Sequence, residues 1–266
     1  MGGWSIVGRG GELALIAAAI SGGDGAALVV AGPAGVGKSR LIDEALAGAA
    51  AAGAQVEQVR ARAAAAALPI GAFTSLPPLE VAPGAGRTGL IGEAAAVLTA
   101  RAAGRRLVVG IDDAHLLDDV SAALVHHLAA TGAAFVLAGM RSGEAAPDAL
   151  TKLWKDDVGA RIELAPLTGE GARAMVEAML GGPADTGTQQ RIWEASAGNP
   201  LYLRELVLGA SESGALREAG GVWTLEREAG IAPRLAELLE ERLGTLVAKE
   251  RAALEAIAVA EPVDLD

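Results

Sequence analysis

The residues most able to do chemistry are Gly32-Pro33-Ala34-Gly35-Val36-Gly37-Lys38-Ser39, which read Gly, four variable residues, then Gly-Lys-Ser. Glycines let the backbone curl so that successive N–H groups face one anion, and a helix starting behind the loop adds its dipole. Lys38 offers a point charge to β- and γ-phosphates, while the Ser39 hydroxyl suits the oxygen shell of Mg²⁺. Arg40 follows directly and is grouped with the loop as a phosphate-binding candidate. The pattern predicts a bound nucleoside triphosphate.

A second candidate group lies at Asp112-Asp113, where an apolar run ends in two carboxylates. Ligands of open parallel sheets bind at that edge. Asp112 is expected to hold Mg²⁺ through its water shell, and Asp113 to orient or deprotonate an attacking water. Asp118-Asp119 read instead as the cap of the following helix. Arg141, at the end of a further apolar run, is the candidate sensor of the γ-phosphate.

The elements that must position these residues alternate as βαβ units, predicting an α/β fold with a parallel five-stranded sheet flanked by helices. Residues 26–31 form a continuous apolar run, expected of a strand buried on both faces, and Leu41, Ile42, Ala45 and Leu46 repeat at helical spacing. Further strands are predicted at 55–60, 106–111, 133–139 and 161–164. Residues 68–89, dense in proline and glycine, read as an irregular excursion, followed by a helix from about Leu90 to Ala103. Pro166 marks the exit from this first domain.

Composition narrows the classes. A chain of 266 residues exceeds one typical domain, so smaller units are expected to follow. Its apolar content is carried largely by alanine, which predicts closely packed helices whose side chains each bury little area. With no cysteine, disulfides and thiolate metal sites are excluded, and three histidines make a zinc site unexpected. The start Met1-Gly2-Gly3-Trp4-Ser5 lacks a charged leader, and no run approaches the ~18 apolar residues a membrane helix needs. A cytoplasmic protein is expected. The formal net charge of -11 opposes nonspecific contact with polyanions, so DNA is expected to be met only through a domain outside this chain.

Taken in order, these motifs resemble the nucleotide-binding core of the STAND class of AAA+-related ATPases, in particular the large ATP-binding regulators of the LuxR type. Ile6-Val7-Gly8-Arg9-Gly10-Gly11-Glu12-Leu13 resembles the family's Val-Gly-Arg-x-x-Glu-Leu start. Gly32 to Ser39 resembles its Walker A motif, Val108 to Asp113 its Walker B motif, and His115 follows the acidic pair as it commonly does there. Leu164-Ala165-Pro166-Leu167-Thr168 opens a helix, and Ala197-Gly198-Asn199-Pro200-Leu201-Tyr202-Leu203 resembles the Gly-Asn-Pro-Leu segment of a helical lid. Ile231-Ala232-Pro233-Arg234-Leu235, leading into Leu239 to Leu243, resembles the start of a winged-helix portion. The resemblance implies a P-loop NTPase domain at 1–165, a helical lid domain at 166–214 and a partial winged-helix domain at 215–266. Regulators of this type continue into helical repeats and a helix-turn-helix, whereas this chain ends at Asp266.

The same resemblance implies that Arg9 lies against base or ribose and that Pro200 packs on adenine. Gly198-Asn199-Pro200 also fits an ordinary helix stop and restart, and Arg9 equally fits a solvated side chain. His126 and His127 point about 100° apart on one helix and cannot share a metal. Trp193 and Trp223 read as core of the smaller units, while Trp4 is a candidate cover for the nucleotide. The expected activity is that of a slowly hydrolysing nucleotide switch using ATP or ADP with Mg²⁺. Its expected partners are an inducer ligand or protein and further copies of itself. A silent ADP-holding module and a P-loop kinase for a small acceptor are the alternatives.

Overall fold

The computed structural model describes residues 6–22, 25–74, 86–227, 243–244 and 248–260. Trp4, the Pro77 to Gly84 part of the excursion and the Ile231 to Arg242 segment lie outside the described residues. The chain divides into two compact units, Met1–Gly171 and Ala172–Asp266.

Five strands build the sheet of the first unit: β1 (Ala27–Gly32), β2 (Gln55–Arg60), β3 (Leu107–Asp112), β4 (Phe135–Arg141) and β5 (Gly159–Glu163). Their order is β2-β3-β4-β1-β5, every neighbouring pair is parallel, and each corresponds to a strand expected from the sequence. Parallel neighbours require crossovers, and these are supplied by α2 (Lys38–Ala51), α3 (Arg87–Ala102), α4 (Asp119–Ala130) and α5 (Asp148–Lys155). A further helix, α1 (Gly10–Gly22), precedes β1.

Alternation along the strands divides the core between the two faces of the sheet. Leu28 and Val30 of β1 pack with Ile16 and Ile20 of α1 and Leu41, Ile42 and Leu46 of α2. Val29 and Ala31 face the other way, toward Leu98 of α3, Leu124 and Leu128 of α4, and Leu150 and Leu153 of α5. A strand covered on both faces has no polar side, which is why β1, β3 and β4 read as unbroken apolar runs. Small residues bring α2 close to the sheet. A Cβ on Gly110 would stand 2.3 Å from Leu46 Cδ1, and one on Gly139 2.7 Å from Ile42 Cδ1.

The excursion after β2 is partly docked. Two short 3-10 turns, Ala63–Ala65 and Gly71–Phe73, bring Ile70, Ala72 and Phe73 into the core. Asp118 holds them there. Besides capping α4 through the N–H groups of Val120 (3.0 Å) and Ser121 (2.9 Å), its buried carboxylate accepts N–H bonds from Ile70 and Gly71, each 3.2 Å. The Ser121 hydroxyl donates to it as well. Ile70 takes a left-handed backbone (φ 56°), uncommon for a β-branched residue, and is fixed by this carboxylate and by burial.

The second unit contains α7 (Thr186–Ser196), α8 (Pro200–Glu212) and an antiparallel hairpin of β6 (Leu216–Ala219) and β7 (Val222–Leu225); α6 (Gly169–Leu180) starts at the boundary, and a last helix, α9 (Ala248–Ala260), follows later. Asp185 caps α7 through Thr188 N–H (3.0 Å) and accepts the Thr188 hydroxyl, which holds its carboxyl below the usual range. That same hydroxyl oxygen accepts Leu225 N–H at 2.7 Å and so fixes the hairpin to α7.

Because one carboxylate both caps α4 and anchors residues 70–71, Asp118→Ala is expected to reduce unfolding free energy by about 2–4 kcal/mol. Chemical denaturation checks this, and a loss comparable to an exposed cap alone would refute the anchoring role.

Candidate functional site

The loop between β1 and α2 is curled by Gly35 (φ 78°) and Gly37 (φ 102°), backbone conformations that side chains oppose. Gly37 stands at the N-cap of α2 with no side-chain cap bond, leaving the first N–H groups of the helix for an anion. Val36 is fully buried, which anchors the middle of the loop.

Lys38 is 7% exposed, and its Nζ donates to the carbonyls of Gly32 (2.9 Å) and Pro33 (2.8 Å). An ammonium carries three donors, so two fix its direction and one is left over. Burial pushes Lys38 below the ordinary lysine range; the Asp113 carboxylate opposes this, and the Arg141 guanidinium adds to it. A nearby polyanion would favour the charged form.

The predicted acids meet the loop through Ser39. Its Oγ donates to Asp112 Oδ1 at 2.9 Å, joining residues 73 apart in sequence. The Asp113 N–H also donates to that oxygen, at 3.1 Å. Asp113 itself adopts a left-handed backbone (φ 52°), which sends the two side chains to different places. Asp112 is buried against Ser39, whereas Asp113, about one-third exposed, lies 4.0 Å from Arg141 Nε. Lys38, Ser39, Asp112, Asp113 and Arg141 are therefore brought together. Their donors near Ser39 are all hard oxygens, which suits Mg²⁺. No group of three or more His, Asp or Glu among the described residues could enclose a metal by itself.

Other predicted residues are placed elsewhere. Arg40 pairs with Glu44 one turn along α2, 3.6 Å away, with about half of each side chain exposed. Arg9 is buried rather than solvated: its guanidinium donates to Glu12 (2.9 Å), to the Val36 carbonyl (3.2 Å) and to the Ala165 carbonyl (2.7 Å). It braces the back of the phosphate loop. Pro200 belongs to the second unit, where it opens α8 behind the cap residue Asn199, whose Oδ1 accepts Leu201 N–H at 3.0 Å.

Sequence reasoning passed over Arg60, whose Nε lies 3.4 Å from Asp112 Oδ2. The β2–β3 register brings it there, since Arg60 stands opposite Asp112. His115, three residues beyond Asp112, has a buried Nδ1 with no hydrogen-bond partner among the described residues. Burial holds its pKa below the usual histidine range.

Residues 5–138 match the family model described as the AAA ATPase domain, with the phosphate loop and both aspartates inside the matched segment. The chain belongs to that family. The AAA ATPase fold recurs in solved structures of low identity. RuvB from Thermotoga maritima is 18% identical, with a TM-score of 0.53 over 93% of this chain and 74% of that one. The Aeropyrum pernix ORC1 protein, solved in complex with DNA, is 16% identical, with a TM-score of 0.55 over 97% and 74%. The replication initiator DnaA, bound to AMPPCP and single-stranded DNA, is 15% identical, with a TM-score of 0.56 over 79% and 64%. At such identities the likeness establishes the fold alone. Comparison with curated proteins returned no match.

If Arg9 braces the loop, Arg9→Ala weakens ATP and GTP binding by similar factors and lowers stability by about 2–3 kcal/mol. Equilibrium titration with both nucleotides tests this, and a selective loss of ATP would mark contact with the base instead.

Proposed function

We propose that this AAA ATPase domain is a nucleotide-operated switch: it binds ATP with Mg²⁺, hydrolyses it slowly, and serves a signal-responsive transcriptional regulator of the STAND and LuxR type. The observation that carries the reading is the 2.9 Å contact between Ser39 and Asp112, which brings the phosphate loop and the acidic strand end to one point. Ser39 and Asp112 would hold the ion, which would complete its shell with phosphate and water oxygens and supply charge neutralisation there.

The chain's own groups divide the remaining work. Lys38, aimed by two carbonyls, would meet the β- and γ-phosphates with its third N–H. Gly32 to Ser39 would wrap the phosphates with backbone donors. Asp113, partly exposed and turned away from Ser39, would orient the attacking water and accept its proton. Arg141, paired with Asp113, would stabilise charge as the γ-phosphoryl leaves.

We assign residues 1–165 to the nucleotide-binding domain, 166–214 to a helical lid and 215–266 to the start of a winged helix. The lid is the element that the γ-phosphate would bias, with Pro200 as its candidate contact to adenine. Near-complete switching between two lid positions calls for a differential of ~5.5 kcal/mol between triphosphate and diphosphate. The net charge of -11 disfavours DNA binding by this chain and supports an output through another part of a regulator.

Lys38→Ala is expected to weaken ATP binding by about 100-fold, because a buried charge-assisted bond to phosphate is lost. Asp113→Asn should keep nucleotide binding while hydrolysis falls by about 100-fold or more. Calorimetric titration and phosphate release measure the two, and normal hydrolysis by the Asp113 variant would overturn its assignment.

A further inference from the structure

Ser142 follows Arg141 and is fastened on two further sides. Its N–H donates to the Gly32 carbonyl at 3.2 Å, the same oxygen that accepts Lys38 Nζ. Its hydroxyl donates to Glu163, at the end of β5. In the sheet β1 lies between β4 and β5, with Gly32 opposite Arg141 and Ala31 opposite Glu163. Neighbouring strands are about 4.8 Å apart, so the Ser142–Glu163 contact must reach over the end of β1, where the phosphate loop leaves the sheet.

This strap has its own anchor. Arg161 Nη2 donates to the second Glu163 oxygen at 3.1 Å, which leaves the first directed at Ser142. The Ser142 hydroxyl, with smaller help from Arg161, holds the Glu163 carboxyl below its ordinary range, and Lys38 contributes in the same direction. Gly32 is itself closely packed: a Cβ there would stand 2.8 Å from the Leu164 carbonyl. The Gly32 oxygen thus joins the lysine of the phosphate loop to the strand end that carries Arg141.

We propose that Glu163, acting through Ser142, is a positioning residue that sets Arg141 at the phosphate end of the site and so makes the domain discriminate triphosphate from diphosphate. This rests on the phosphate-binding reading above. Glu163 touches no phosphate in this scheme; it fixes the strand end beside Gly32, and with it the reach of the Arg141 side chain. Losing the strap frees Arg141 while Lys38, on which Glu163 acts least among the neighbouring charges, and the loop amides, which serve both nucleotides, keep their places.

The test measures dissociation constants for ATP and ADP, with magnesium, on the 266-residue chain and on Ser142→Ala, Glu163→Ala, the double variant and Ser142→Thr. Each single alanine variant is expected to weaken ATP by about fivefold or more while ADP stays within about twofold, a typical coupling magnitude. The double variant should lose no more than either single one, and Ser142→Thr, which keeps the hydroxyl, should retain the preference for ATP. Equal losses for both nucleotides, an unchanged ratio or additive losses would overturn the proposal. Wild-type chain that binds neither nucleotide would overturn the site reading itself.

Discussion

One hydrogen bond organises this molecule: Ser39 Oγ to Asp112 Oδ1, between the first turn of α2 and the end of β3. It demands that β1 and β3 finish at the same edge of the sheet although β4 lies between them. The parallel arrangement meets that demand, because every strand then points its C-terminal end the same way. The carboxylate at its centre is buried, and a buried charge is tolerated only when it is hydrogen-bonded and balanced. Ser39, the Asp113 N–H and Arg60 supply that balance from three different segments. The phosphate loop, the turn after β3 and β2 are thereby referred to one side chain.

A second constraint is electrostatic crowding. The Arg141 charge disfavours that of Lys38, and the acids at Asp113 and Glu163 oppose this. The cluster is nearly neutral only as a whole. Removal of any member changes the field on the rest, so single substitutions here will not add as independent sites do. Arg9 is different in kind, since its donors are directed to Glu12 and to the backbone of the loop and of residue 165.

Much of this was legible in the sequence, and the reasons are specific. Buried parallel strands have no polar face, so residues 26–31, 106–111 and 133–139 announced β1, β3 and β4 without an alternating pattern. The phosphate loop and Asp112 were readable because their spacing encodes local geometry. Two helices passed without notice. Helix α1 is apolar nearly all round, with Ile16 and Ile20 on its buried side and alanines round much of the rest, and α5 is only two turns long. Partnerships across the sheet were invisible for another reason. Arg60 with Asp112, and Ser142 with Glu163, depend on strand order and register, which no local pattern states. The buried Arg9 was misleading in the same way, because its acceptors are carbonyls, and carbonyls are present at every residue.

Gly110 and Gly139 lie inside the sheet, and neither belongs to the phosphate loop. Their bare backbones let Leu46 and Ile42 settle onto the strands, so α2 rests flush with its floor. A methyl group at either place would have to displace the end of the α2 side chain that now fills it, Leu46 at Gly110 and Ile42 at Gly139. Two strand positions outside the loop thus set how closely the helix that carries Lys38 and Ser39 lies on the sheet.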